Sequence, residues 1–316
     1  MRQVRVARLD RDVSAIGFGC ASLGSRISAA HGRRAIAHAL DLGLSWFDVA
    51  PSYGDGQAEA LLGEALRGRR DKVVICTKFG IAPAAVSLPA RLIRPLARRA
   101  VAAFPNLRRA VSGARPIGRR APIDPSAIEA SVTRSLRLLG TDYIDVLAVH
   151  EPTLEDVANA GIFDVLRRLV ERGLVRAVSI AGDPRSIEAA VRARHPIDVA
   201  QFPDTPLTDA AAGLRKKLPV PVPTFVTHGV FGSGLTQAVA GRNAQQRTQI
   251  LALAERHGID VSKSPNDLLL RFAFANNPDG VVIVSMFGPG HIERNIAGAE
   301  LPPVPGLADA VRQILS

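Results

Sequence analysis

The chain has 316 residues, 47% of them hydrophobic, with two cysteines and a formal net charge of +11. No apolar run reaches the ~18 uninterrupted residues of a membrane-crossing helix, and MRQVRVARLDRD at the N-terminus lacks the apolar core of a secretory leader. Cys20 and Cys76 lie far apart in apolar surroundings, which fits neither a disulfide framework nor a zinc site and points to a cytoplasmic protein.

Residues 3–8 and 13–16 alternate well enough for a short hairpin across Asp10 to Asp12. IGFG follows as a barrel-type strand, with Gly17 and Gly19 allowing close backbone approach, and CASLGS is a loop. Residues 28–42 carry helical periodicity ended by Gly43; WFD is a short strand; residues 57–66 form a helix stopped by Gly68. VVICT is a continuous apolar strand of the buried kind.

A long excursion from Gly80 to Asp124 interrupts this rhythm. It carries nine arginines, from Arg91 to Arg120, and no acid before Asp124; without these nine the net charge is +2. The basicity therefore belongs to one insert, and a basic nucleic-acid-binding surface is not required. Phe104 is its one aromatic, a poor supply for base stacking. More than forty residues far exceeds an ordinary connection, and the insert 81–124 reads as a lid or substrate wall.

The alternation then resumes. A helix over 125–139 sits behind Asp124, IDVLAV is a strand, and 154–172 is a helix ended by Gly173. AVSIA is a strand, Pro184 opens a helix, VAQF is a strand, and 209–217 is helical. VPTFV is a strand, 242–257 and 265–276 are helices, GVVIVS is the last strand, and PGHIERNIAG opens the last barrel helix. A tail at Pro302–Pro305 leads to a final short helix. Eight strand–helix units argue for α/β architecture in one domain over 1–316. The expected fold is a (β/α)8 TIM barrel with an N-terminal β-hairpin and a long Arg-rich loop after barrel strand three.

Ionisable residues stand where such a barrel places its chemistry, at strand C-terminal ends. Asp48 ends WFD, Tyr53 lies five residues on in a turn, Lys78 closes VVICTK, and His150 closes YIDVLAVH. A tyrosine near its ordinary pKa of about 10 is a weak donor at neutral pH, and a neighbouring ammonium lowers that pKa. Asp48 would hold Lys78, and a histidine can orient a carbonyl oxygen and share proton transfer. Together the four suit proton donation to a carbonyl while another group delivers hydride.

The order FDVAPSYG, VVICTKFG and LGTDYIDVLAVHEP resembles the aldo-keto reductases, and the resemblance runs from IGFGCASLG to IERNIAG. It implies Tyr53 as general acid/base, with Asp48, Lys78 and His150 completing a tetrad, acting on a small-molecule aldehyde or ketone or the corresponding alcohol or sugar. It also implies a nicotinamide cofactor. No GxGxxG follows a strand, so late loops must hold that cofactor. Gln201 ends a strand, and its amide suits either a carboxamide or a structural role. The loop 228–235 is glycine-rich and brings His228, Phe231, Gly232, Gly234 and Leu235. In 285–295 a strand end feeds a helix N-terminus, with Ser285, Met286, His291 and Asn295. Gly19 and Ala21 at the first strand end complete the expected contacts.

The chain departs from the family pattern in places. Ala181–Gly182 stands where many members carry serine–asparagine, and His228, or Phe225 in a shifted register, where many carry a stacking tyrosine. Ser285, Met286 and His291, with Arg294 nearby, stand where NADP-preferring members carry lysine or arginine. AGDP and SMFG are similar to a branch of sugar-lactone-forming dehydrogenases. NADP(H) is the expected cofactor, with NAD(H) as the alternative. No nucleic-acid partner and no transmembrane segment are expected, and the state is a monomer or small homo-oligomer. The competing reading is a cofactor-binding, redox-sensing interaction module that uses the basic insert 81–124.

Overall fold

The computed structural model describes residues 1–82, 122–232, 243–261, 264 and 266–315. Most of the arginine-rich insert, with Gly234 and Leu235, lies outside these residues.

The N-terminal hairpin pairs β1 (Gln3–Val6) with β2 (Arg11–Ser14) in antiparallel register, Val4 opposite Val13. Its connection is a 3-10 turn over Ala7–Leu9 closed by Asp10 in the left-handed region, slightly earlier than expected. Eight strands then close a parallel barrel: β3 (Ile16–Gly19), β4 (Trp46–Asp48), β5 (Val74–Phe79), β6 (Ile144–His150), β7 (Val175–Ala181), β8 (Val199–Pro203), β9 (Thr224–His228) and β10 (Val281–Val284). Each pairs with its sequence neighbour, and β10 closes on β3. This is the expected (β/α)8 barrel, and no helix among the described residues is long and apolar enough to cross a membrane.

Local chemistry sets the helix starts. Ser28 accepts from the His31 N–H ahead of the helix Ala29–Asp41. Asp124 and Asp183 cap helices whose first residues are Pro125 and Pro184. Such caps satisfy the free N–H groups of a first turn, and proline there gives up no helical bond.

Two expected elements differ. The helix expected over 154–172 is two, Leu154–Ala158 and Ala160–Glu171. Asn159 is extended, and its side chain accepts from the Gly161 N–H, so it caps the second helix and breaks the first. Strand β9 begins two residues later than VPTFV suggests, because Pro221 and Pro223 have no N–H for a ladder. The shift makes His228 its last residue.

The hairpin sits at the N-terminal end of the barrel. Arg2 donates to the Pro278 carbonyl, Arg11 to those of Asp71 and Val73, and Arg8 pairs with Asp198. All four acceptors precede barrel strands. Val6 and Val13 are fully buried beneath it.

Candidate active site

The site begins with strand alternation. On β5, Thr77 faces outward, where its hydroxyl donates to the buried Glu59 carboxylate at 2.7 Å. Cys76 and Lys78 therefore face inward, since side chains two apart share a face. On β4, Trp46 and Asp48 do the same. Gly17 leaves room for the indole: a Cβ there would lie 2.8 Å from Trp46 Cδ1. The closeness expected at Gly17 is thus to a side chain inside the barrel.

Asp48 and Lys78 meet in this interior. Lys78 Nζ donates to Asp48 Oδ2 at 2.5 Å and to the Val49 carbonyl at 3.2 Å, and both residues are at most 3% exposed. Burial penalises the ammonium, but the Asp48 charge, with smaller help from Tyr53 and Cys76, outweighs it and lifts the Lys78 pKa above its usual value. Lys78 is a cation at any ordinary pH. The backbone supports the pair: Cys20 N donates to the Asp48 carbonyl at 2.8 Å, and Val49 N to that of Cys76 at 2.9 Å.

Tyr53 follows in a short turn, its N–H bonded to the Ala50 carbonyl at 3.0 Å. The turn needs Gly54, which has φ +58° and whose Cβ would lie 1.7 Å from the Leu23 carbonyl oxygen. Only glycine fits that approach. Lys78 Nζ stands 5.0 Å from the Tyr53 ring centroid, and the rings of Tyr53 and His150 meet edge to face at 5.9 Å. The four tetrad candidates are therefore neighbours.

The expectation for the Tyr53 pKa is met only in part. Burial pushes it up to about 12, and the Lys78 charge and hydrogen bond pull against this without overcoming it. His150 moves the other way: burial, then the charges of Lys78 and His228, press it down to about 3. Its imidazole is neutral, and Nδ1 is buried without a partner among the described residues. An unpaired buried acceptor is tolerated better than an unpaired N–H, which places the proton on Nε2. His228 is also pressed down, first by burial.

Among the expected cofactor contacts, Gln201 stands apart. It is 3% exposed; its Nε2 donates to Asp48 Oδ2 at 3.0 Å, and its Oε1 accepts from the Cys76 thiol at 3.7 Å. Both amide ends are engaged inside the protein. Phe231, Gly232, Ser285, His291 and Asn295 line one cavity of about 450 Å³, together with Arg294 and with Asn266 and Asp267, which sequence reasoning missed. Asn266 and Asp267 open a helix (Asn266–Asn276), a position without a motif of its own. Met286 is fully buried beside this cavity and does not line it. Gly19 pairs with Asp48 in the ladder and abuts Val284, while Ala21 is exposed in the turn beyond. Cys76 was also missed, although its place two residues before Lys78 was a sufficient signal.

Comparison with known proteins agrees with this architecture. The family model of the aldo/keto reductase family matches residues 15–306. A D-threo-aldose 1-dehydrogenase from a Pseudomonas species is 31% identical over 174 residues, 53% of this chain and 50% of that protein. A 6-dehydroglucose reductase from Agrobacterium fabrum is 32% identical over 186 residues, 56% of this chain and 53% of that one. The matched stretch of this chain spans about half the length of these curated relatives. Among solved structures, a holo-form aldo-keto reductase from Bacillus halodurans superposes with a TM-score of 0.72 at 20% identity, over 99% of this chain and 96% of that one. A glycerol dehydrogenase from Gluconobacter oxydans superposes at 0.71 and 18% identity, over 99% and 94%. With a family match over nearly its whole length, set on a closed barrel of the same kind, this chain belongs to the aldo/keto reductase family.

Proposed function

We propose that this protein is an NAD(P)-dependent oxidoreductase that interconverts a small aldehyde or ketone and its alcohol, with Tyr53 as general acid/base. The observation that carries this reading is the buried Lys78–Asp48 ion pair set against a tyrosine and a neutral histidine at adjoining strand ends.

The cavity lined by Phe231, Gly232, Ser285, Arg294 and Asn295 suits a dinucleotide. It joins a glycine-bearing loop to the N-terminal turn of the helix His291–Glu300, and loop and helix N–H groups receive phosphate well. Ser285 and Asn295 add polar side chains. When bound, a nicotinamide supplies or accepts the hydride.

The residues of the chain manage the proton. Tyr53 gives its phenolic proton to the carbonyl oxygen in reduction and recovers it in oxidation. Lys78, held charged by Asp48, offsets part of the burial that makes this phenol a weak acid. His150 directs its Nε2–H at the same oxygen and, being neutral, orients the carbonyl without competing for the proton. General acid catalysis of this kind contributes roughly 10²–10⁴-fold.

Two neutral imidazoles, His150 and His228, favour a substrate with hydroxyl groups beside the carbonyl, because a purely apolar one leaves them unpaired. The sugar and polyol names among the relatives agree. The test starts from Trp46, two residues from Asp48 and the single tryptophan of the chain. Its fluorescence is titrated with NADPH and with NADH, and a panel of sugar aldehydes, polyols and apolar aldehydes is then assayed with wild type and Tyr53→Phe. Saturable binding, with turnover that falls at least 100-fold in Tyr53→Phe, is expected. Equal turnover by the two proteins removes Tyr53 from its role.

A further inference from the structure

The cavity of about 450 Å³ proposed to hold the dinucleotide has, among the described residues, two formally charged side chains on its wall, Asp267 and Arg294. They come from different helices. Asp267 lies in the first turn of Asn266–Asn276, its N–H bonded to the Ser264 carbonyl at 3.1 Å, and Arg294 lies one turn into His291–Glu300. Partial burial raises the Asp267 pKa, the Arg294 charge pulls against this, and the Asp260 charge adds to the rise. Arg294 thus already acts on a carboxylate of the same cavity and is not a lone cation.

None of Asp48, Tyr53, Lys78 and His150 lines this cavity, so the part of the cofactor that it receives is the one remote from the hydride, the adenosine half. The two nicotinamide cofactors differ there alone: NAD has a hydroxyl at the 2′ position of that ribose, and NADP a phosphate. A carboxylate accepts hydrogen bonds from ribose hydroxyls, whereas a guanidinium suits a 2′-phosphate. A phosphate monoester carries a charge of about −1.5 to −2 near neutral pH, and beside a carboxylate it meets a like charge.

We infer that Asp267 is the specificity-determining residue for the cofactor: its carboxylate accepts from the ribose of the adenosine half and repels a 2′-phosphate, so the protein takes NAD(H) ahead of NADP(H). The inference rests on the reading of this protein as an NAD(P)-dependent oxidoreductase. It reverses the order expected from the sequence, where Asp267 is far from Arg294 along the chain and carries no motif. A 2′-phosphate seated against Arg294 competes with Asp267 for that cation and brings two anions into one cavity. A ribose hydroxyl needs no such exchange.

The test is binding, which does not depend on turnover. Dissociation constants for NADH and NADPH are measured by Trp46 fluorescence and by calorimetry, at mildly alkaline pH where the carboxyl is ionised. The full-length wild type is compared with Asp267→Asn, and Tm checks folding. 5′-AMP and adenosine 2′,5′-bisphosphate repeat the comparison without a nicotinamide, and the same order is expected. Wild type should bind NADH about 10- to 30-fold more tightly than NADPH, and the gap should narrow as salt is raised, because salt screens a repulsion. Asp267→Asn keeps an acceptor and loses the charge, so NADPH should bind about tenfold more tightly while NADH stays within about threefold of wild type. If the variant does not fold, the salt series on wild type still decides, since a cationic clamp on a 2′-phosphate gives the opposite slope. Equal or tighter binding of NADPH by wild type, a gap that widens with salt, or a ratio that does not move in Asp267→Asn overturns the inference and leaves the oxidoreductase reading in place. If neither cofactor binds wild type, that reading fails and the role of Asp267 falls with it.

Discussion

The rings of Tyr53 and His150 stand 5.9 Å apart at 82°, so a neutral imidazole at the end of β6 meets a phenol in the turn after β4 edge to face. They titrate in opposite directions for one shared reason: burial disfavours the charged form of each.

The phenol provides the first prediction. The chain has two tyrosines, so the ultraviolet difference between wild type and Tyr53→Phe isolates Tyr53. Its phenolate absorbance is expected near pH 12 rather than 10 in the ligand-free protein. Because the unfolded chain ionises first, the stability that Tyr53 contributes is complete below pH 10 and is lost as pH rises toward 12. A midpoint at or below 10 contradicts the burial argument.

His150 should act at the other end of the scale. In the unfolded chain it takes a proton near pH 6.5, and in the folded protein only near 3. Its contribution to stability is complete above 6.5 and disappears as pH falls toward 3. His150→Gln should flatten that part of the stability curve in denaturant melts, and should lower kcat without introducing a new ionisation between pH 5 and 8. An NMR titration of His150 with a midpoint near 6.5 counts against this.

Asp48→Asn leaves a buried cation without its counter-charge. Breaking a buried pair from one side costs about 3–5 kcal/mol. A large fall in Tm is expected, together with near-complete loss of turnover. In Asp48→Asn/Lys78→Met both charges are gone, and part of the stability should return while activity does not. The comparison of the two melts separates the structural contribution of the pair from its chemical one.

Gly54→Ala should be harmful out of proportion to a single methyl group. The backbone stays at φ +58° only under strain, and the new carbon meets the Leu23 carbonyl oxygen. The strain is of order 1–3 kcal/mol. Since the same turn carries Tyr53, kcat should fall further than the change in Tm implies. Equal, modest losses in both would mean that the turn relaxes without moving the phenol.

Much of this was legible in the chain itself. Asp48, Lys78 and His150 end apolar runs, and a parallel barrel gathers strand ends at one mouth, so three separated segments could be joined before any coordinate. The helix start behind Asp124 and the one opened by Pro184 were equally plain. Other features depended on contacts between distant segments. Apolar periodicity runs on past Asn159, so the break in that helix shows only as a capping bond. Gln201 ends its strand with no local sign of a partner, and its bonds to Asp48 and Cys76 depend on the closure of the barrel that brings β8 toward β4 and β5. The Tyr53 pKa was read from its charged neighbour alone, because the depth of burial that outweighs Lys78 is a property of the assembled barrel.

The hairpin at the base of the barrel gives the molecule a direction. With Arg2, Arg8 and Arg11 fastening it beneath the strands that begin there, the hairpin plugs that end like a stopper, and Asp48, Lys78 and His150 stand at the strand ends of the opposite mouth.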